Sequence, residues 1–530
     1  MMNRLYVFAI GGSGERVLKS LAMVLAAGTP IEANEVVPVI VDNDANSAAL
    51  KDCERILTAY GNTQGDNGVH TLYERAFGKD AGKWPSFCKT VIRKPILLNV
   101  AGDSIGNLKG IIACPSESNR PEEKDNNVFI RSISIERDLL FTHEDQSMPL
   151  TVGFVGNPNI GSVVLKSLSF TDPQFTSIYS EIHSNDGVIV IGSLFGGTGA
   201  AGFPLIVNTF NQITDPTKKP VLGGVAVLPY FDTNKAQISV DEVSIDKDKY
   251  DVNSETFATK TRAALMYYDD YMLGVDCMYY VGDDKRRVYP HAVGGKAQRN
   301  NVNLVELLSA MSIVDFAKQD HSDCTVYKQP IWGFSTEDGT SSNVSGITNH
   351  DIRRAFVKFR MLEEILKNDE FLKKAISELK STFVTDLHFT EEVRLSTFTD
   401  DVIKYKPATG LNHLLKEWDS WLGDLSAAGA IRTLRIFNDG VKTEDFNFTS
   451  NFLADSGYGV AKTETKKGGI FSRKEVTEPV KPVILDTMFE VYKDLPESMK
   501  KDVAEYQILP YELLVISKAL DKVIDEKCTI

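Results

Sequence analysis

Along the first 320 residues, unbroken apolar runs alternate with segments of helical period. Residues 4–10 (RLYVFAI), 36–41 (VVPVIV), 188–192, 221–229 (VLGGVAVLP) and 276–282 (DCMYYVG) lack in–out alternation and predict strands buried on both faces. After the first, ERVLKSLAMVLAAG puts Val17, Leu18, Leu21, Val24 and Leu25 at helical spacing, and Gly28 and Pro30 stop it. Residues 203–213 predict a further helix. So do residues 301–319, with Leu304, Leu307, Leu308, Met311 and Val314 on one face. Strands alternating with helices imply an α/β architecture, a doubly wound parallel sheet with helices on both faces. Pro38 lacks the N–H that a central ladder uses, so the second strand is expected to be irregular or at an edge. Residues 61–150 break the rhythm. Their polar run CPSESNRPEEKDNN reads as a surface loop, and the region reads as an insertion with some helix.

Beyond residue 321 the pattern changes. TVYKQPIWGF reads as extended, residues 350–383 as strongly amphipathic helix, and 431–460 as extended chain. Residues 463–482 are charged and poor in apolar positions, which predicts a linker or flexible hairpin. The last forty residues return to helical spacing. Residues 321–530 are therefore expected to form a second, α+β domain.

Composition narrows the function classes. The chain has 530 residues, enough for two or three domains, and 42% hydrophobic with 25% charged residues excludes wholesale disorder. Lys and Arg number 58 against 72 Asp and Glu, a net charge of −14, so coating nucleic acid or an anionic membrane is not expected. The six cysteines form no CxxC pair and no HxxxH or HExxH occurs, which argues against disulfide scaffolds and zinc sites. No apolar run reaches the ~18–20 residues of a membrane span. The first residues read as a strand rather than a signal peptide. The expected location is cytoplasmic.

Candidate chemistry lies in two glycine loops between strand and helix. The first is Gly11-Gly12-Ser13-Gly14. The second is Phe195-Gly196-Gly197-Thr198-Gly199-Ala200-Ala201-Gly202. Glycine lets the backbone approach a ligand closely, and the helix N-terminus behind it offers free N–H groups to phosphate. The first loop does not complete GxGxxG, since Val17 takes the third position. The second is no Walker loop, since no Lys-Ser/Thr pair follows it.

The second loop resembles the GGGTG[ST]G signature of the tubulin/FtsZ superfamily, with Phe195 in place of the first glycine and Ala201 in place of the last. Other loops resemble the family's nucleotide loops in the same order. GGSG follows strand one. VDNDANSAAL follows strand two, with Asn43 and Asp44. Gly156-Asn157-Pro158-Asn159-Ile160-Gly161 is similar to GGNPExG. VAVLPYFDT is similar to the fifth loop at Pro229 and Phe231, and YYVGDD to the sixth at Asp283. Asn301-Val302-Asn303 is similar to the asparagines that touch the base, although asparagine also caps helices well. The likeness is to the divergent bacterial branch. It implies that residues 1–320 form a tubulin-like GTPase domain ending in a core helix at 301–319.

The resemblance also implies a cofactor and a partner. The cofactor is GTP with Mg²⁺, held by Gly11, Gly12, Ser13, Gly14, Asn43, Asp44, Gly156, Asn157, Pro158, Gly196, Gly197, Thr198, Gly199, Ala200, Asp283, Asn301 and Asn303. The partner is another copy, stacked head to tail in a filament, whose site is completed by catalytic acids just past the core helix. Asp320 and Asp323 reproduce the family's D-x-x-D spacing, while Lys318 stands where the family has Asn. A further protein partner could use the second domain. Two other readings stay open: a non-hydrolysing, nucleotide-dependent interaction module, and an NAD-dependent Rossmann oxidoreductase with Asp42 or Asp44 on the ribose.

Overall fold

A computed structural model describes residues 1–66, 68–98, 107–108, 138–147, 150, 154, 156–166, 172–234, 254–271, 275–283, 287–290, 301–318, 354–360, 362–363, 410–427, 462–467, 473–478, 490–491, 494 and 508–527. The chain divides into two compact units. One holds Met1–Leu21, Ile31–Leu57 and Ile92–Gly333; the other holds Ala22–Pro30, Thr58–Val91 and Phe334–Ile530.

The elements run β1 (Met2–Ile10), α1 (Gly11–Ala26), β2 (Ala33–Val41), α2 (Ala48–Asn62), α3 (Val69–Phe77), β3 (Val91–Ile92), β4 (Ile96–Leu98), α4 (His143–Ser147), α5 (Pro158–Lys166), α6 (Pro173–Glu181), β5 (Gly187–Ser193), α7 (Gly197–Asn211), β6 (Val221–Val227), β7 (Phe231–Asn234), α8 (Phe257–Tyr271), β8 (Cys277–Val281), β9 (Arg287–Pro290) and α9 (Leu304–Lys318). Then follow α10 (Leu411–Ala427), β10 (Lys462–Lys467), β11 (Arg473–Glu478) and α11 (Ile508–Lys527).

The central sheet has seven strands among the described residues, ordered β3-β2-β1-β5-β6-β8, with β4 also on β2. Six of them are joined by parallel pairings, for example Val7↔Pro38, Val7↔Ile189, Ile189↔Gly223 and Val225↔Tyr279. The chain builds outward from β1 to β2 and β4, then returns to β1's other side and builds outward again through β5, β6 and β8. The order reverses between β1 and β5. In open α/β sheets, ligands bind outside the strand C-termini at such a switch point.

As the apolar runs predict, β1, β5 and β6 are buried almost throughout. One face packs Phe8 against Phe175 and Phe210, with Ile10, Val190, Phe203 and Met278 in the same core. Burying side chains of this size is worth ~1.5–3 kcal/mol each. The helix α9 differs from the one-faced pattern its leucines suggest. Every residue from Val305 to Ala317 is buried, Ser309, Ser312 and Asp315 included. A helix buried all round lies inside the domain rather than on its surface. Its Phe316 ring would stand 2.6 Å from a Cβ on Gly223, so glycine in β6 admits it.

Pro38 lies inside β2, not at an edge of the sheet. The irregularity is on the neighbouring side: among the described residues β3 and β4 are separate short strands there, and β4 pairs with Val39–Val41. A strand opposite a missing N–H loses a ladder bond at that point. The segment read as an insertion thus supplies two strands to the sheet.

In the second unit, α10 buries Leu414, Leu415, Trp418, Trp421 and Leu425, with Phe356 and Phe359 against the indoles. Asp521 on α11 pairs with Arg354 and Lys358. The charged 463–482 stretch includes an antiparallel hairpin, β10 with β11. Residues 325–334 and 431–460 lie outside the described residues. No described helix is long and apolar enough to cross a membrane.

Candidate functional site

Both glycine loops are part of the helices they precede. Gly11–Gly14 form the first turn of α1, and Gly197–Ala200 the first turn of α7, with Gly196 as its N-cap. The reason is close approach. A Cβ on Gly14 would lie 2.7 Å from the Ala9 carbonyl carbon, and one on Gly199 would lie 2.7 Å from the Ser193 amide nitrogen. In each case glycine lets the helix turn directly back against the strand it has left.

The two turns meet. Gly11 has φ +66°, and a Cβ there would stand 3.1 Å from Thr198 Cβ. The third loop meets the second. A Cβ on Gly197 would lie 2.9 Å from Phe154 Cβ and 3.1 Å from the amide nitrogens of Gly156 and Asn157. Gly156 takes φ +71°. Behind it, α5 packs on α7, where a Cβ on Gly161 would lie 2.7 Å from Ala201 Cβ. Asn157 is held by its Nδ2, which donates to Asp145 Oδ1 at 3.1 Å, and its Oδ1 accepts from Asn159 N. Pro158 starts α5. Three glycine turns therefore converge beside the switch point, two of them following β1 and β5, and an added methyl group would fill the space between them.

The turn after β2 lies on the other side of α1. Asp42, Asn43 and Asp44 are buried. Asp42 Oδ1 accepts from the Asp44 amide at 3.1 Å, and Asp44 Oδ1 accepts from Asn46 at 3.1 Å. Ser47 Oγ caps α2 through Leu50 N and donates to Glu15 Oε2 at 3.3 Å. Burial and the neighbouring Asp42 carboxylate push the Glu15 carboxyl well above the usual carboxylate range. Burial also raises Asp42, to about 6, against the backbone N–H of Asp44.

A second buried network joins α1 to the start of α9. Arg16 Nη1 donates to Tyr230 Oη at 3.5 Å, and Tyr230 Oη donates to Glu306 Oε1 at 3.1 Å. Glu306 Oε2 accepts from the Asn303 amide at 3.2 Å, while Asn303 Oδ1 accepts from Val305 N at 3.1 Å. This is a capping box: Asn303 caps α9, and Glu306 reaches back to it. Burial raises Glu306, opposed by Arg16 and Lys19. Burial pulls the Arg16 guanidinium down, but Tyr230 and Glu306 more than offset it, so its charge is secure.

Phe195 stands where the family signature has glycine. It packs on Tyr230, Phe231 and Phe257, with ring centroids 6.3, 5.6 and 4.7 Å away. Ser13, Gly12, Thr198 and Ala200 are partly exposed on their turns. Asn301 is exposed before α9 and Asp283 lies two residues past β8, half-buried. Asp320 and Asp323 lie outside the described residues.

The sequence reading passed over three groups here: Glu15, Arg16 and Lys260. Lys260 Nζ on α8 donates to the Gly156 carbonyl at 2.8 Å. Charged residues at buried helical positions were the available signal for Glu15 and Arg16. Lys260 had none, since FATKTRAALMYY reads as an ordinary amphipathic helix. Among the described residues, no group of three or more His, Cys, Asp or Glu side chains could hold a metal ion. No protein-family model matches the chain, and a search of curated proteins finds no match.

Proposed function

We propose that the first unit binds GTP in the manner of the tubulin/FtsZ superfamily and that the protein assembles head to tail. The observation that carries this reading is the convergence of three glycine turns at the switch point of a parallel sheet. Phosphate groups suit a surface of close backbone N–H groups at helix N-termini. Gly11–Gly14, Gly156–Pro158 and Gly196–Ala200 would hold them. Asn43 and Asp44 would face the ribose. Asn303 Oδ1 is committed to the α9 cap, so a base contact there would fall to its amide Nδ2. Mg²⁺ would come with the triphosphate and be held chiefly by phosphate oxygens.

Guanine preference, assembly and hydrolysis rest on the resemblance of the loops. A head-to-tail interface that does not close produces a filament. In that arrangement Asp320 and Asp323 would reach the neighbouring copy's nucleotide and orient the attacking water. The buried Asp42 and Asp44 after β2 equally suit a dinucleotide ribose. That second reading leaves the Gly156 turn without a role.

The test is calorimetric titration of the full chain with GTP, ATP and NAD, with electron microscopy of the same samples. GTP should bind best and bring filaments. Gly197→Ala with Thr198→Val removes a hydroxyl and places a methyl against Phe154. Binding should weaken at least tenfold, as expected for two or three charge-assisted bonds at ~1.5–3 kcal/mol each. A folded double variant with unchanged affinity would refute the phosphate assignment. A parent that prefers NAD would favour the oxidoreductase.

A further inference from the structure

Lys260 is half-buried on α8, and its one described bond goes to a neutral carbonyl, that of Gly156. No described carboxylate pairs with it, and burial alone lowers its pKa. An ammonium drawn partly out of water is costly without a counter-charge. The backbone around it also offers donors. Gly156 belongs to the turn whose amide nitrogens approach Gly197, and Gly197 opens α7, whose sequence GTGAAGFPLIVNTFN has no ionisable side chain. A cation, two glycine turns and the positive end of a neutral helix thus stand together, and the carboxylate described at the Gly156 turn, that of Asp145, is engaged by Asn157 Nδ2 with no described bond to Lys260. The arrangement suits an anion brought in by a ligand.

We propose that Lys260 is the counter-charge of the terminal phosphate of a nucleoside triphosphate bound between the Gly156 and Gly197 turns. Its bond to the Gly156 carbonyl is the arrangement it keeps without that phosphate. Lys260 then distinguishes tri- from diphosphate, and exchange between carbonyl and phosphate would report the nucleotide state to α8. This inference rests on the nucleotide-binding reading and adds the residue that reads phosphate number.

The experiment titrates the full-length parent, Lys260→Gln and Lys260→Arg with GTP and GDP, each with Mg²⁺. Gln retains a donor for the Gly156 carbonyl but carries no charge; Arg retains the charge. In Lys260→Gln the preference for GTP over GDP should fall roughly 10- to 100-fold, the scale of one charge-assisted bond. GDP affinity should change less than about threefold. Lys260→Arg should keep most of the preference. If Lys260 is only a clamp on the Gly156 turn, Gln substitutes for it, the preference survives and the inference fails. A parent-only measurement covers the case in which the variants do not fold. GTP, but not GDP, should protect the Lys260 amine from reductive methylation, and equal modification in both overturns the proposal. If the parent binds ATP rather than GTP, the same ratios are read with ATP and ADP. If it binds no nucleotide at all, the nucleotide-binding reading itself fails and the inference falls with it. Binding without a Lys260 effect sinks the inference alone.

Discussion

The helices α1 and α7 leave neighbouring strands through glycine, turn back the same way and meet at Gly11 and Thr198, yet they are built from opposite materials. The helix α1 carries Glu15, Arg16 and Lys19, all buried. Each side chain faces charge or polarity from another element: Glu15 meets Asp42 and Ser47, Arg16 meets Tyr230 and Glu306, and Lys19 acts on Glu306. The helix α7 has no ionisable residue, and behind its first turn stands Phe195 in a cluster of aromatic rings. One helix is held by a buried charge network and the other by packing. A neutral α7 leaves its N-terminal N–H field uncompensated by side chains of its own, which suits a phosphate cradle. The charges of α1 tie the β2 turn and the α9 cap to the same place.

Removing the packing support should have the largest effect. Phe195→Ala deletes a ring with three aromatic neighbours and should cost about 3–5 kcal/mol. Urea unfolding of the full chain measures it, followed at the first transition, since two compact units need not unfold together. A loss below about 1 kcal/mol would mean that α7 does not depend on this cluster. Next in size is the close approach of α1 to its strand. Gly14→Ala sets a methyl 2.7 Å from the Ala9 carbonyl carbon and should cost about 1–3 kcal/mol. Gly12→Ala, whose nearest neighbour would be 3.7 Å away, should stay within about 0.5 kcal/mol. Equal losses at the two positions would show that contact with Ala9 is not what selects glycine.

The parallel sheet was legible because its strands are buried on both faces and read as unbroken apolar runs. Helix starts were less so. The sequence suggests that GGSG and FGGTG precede their helices, whereas Gly11 and Gly197 lie inside them, because glycine at Gly14 and Gly199 permits a contact that any side chain would block. Asn303 was visible as both a cap and a base contact, and the cap is present. The links from Arg16 to Tyr230 and from Tyr230 to Glu306 span 214 and 76 residues of chain, and no local pattern encodes them. Short strands β3 and β4 escaped notice for a related reason: runs of two and three residues carry too little periodicity to stand out from the polar segment around them.

The effect that separates α1 from α7 most directly is on pH dependence. Asp42 has a folded-state pKa raised from 3.8 to about 6, and Glu15 is raised well above its ordinary value, in both cases first by burial. A raised carboxyl pKa means that the folded state binds a proton which the unfolded chain has released. Its stabilising share is therefore fully present below about pH 4 and is lost as pH rises through about 6. Asp42→Asn keeps an oxygen for the Asp44 amide and cannot ionise. It also removes the carboxylate that helps hold Glu15 up. The variant should match the parent near pH 4 and exceed it by about 1–2 kcal/mol at pH 7.5, read from paired urea unfolding curves. The helix α7 provides the control. With no titrating group of its own, it should let Phe195→Ala lower stability by the same amount at both pH values. If Asp42→Asn gives a shift that is flat with pH, or Phe195→Ala one that is steep, the division between a charge-held and a packing-held helix is wrong.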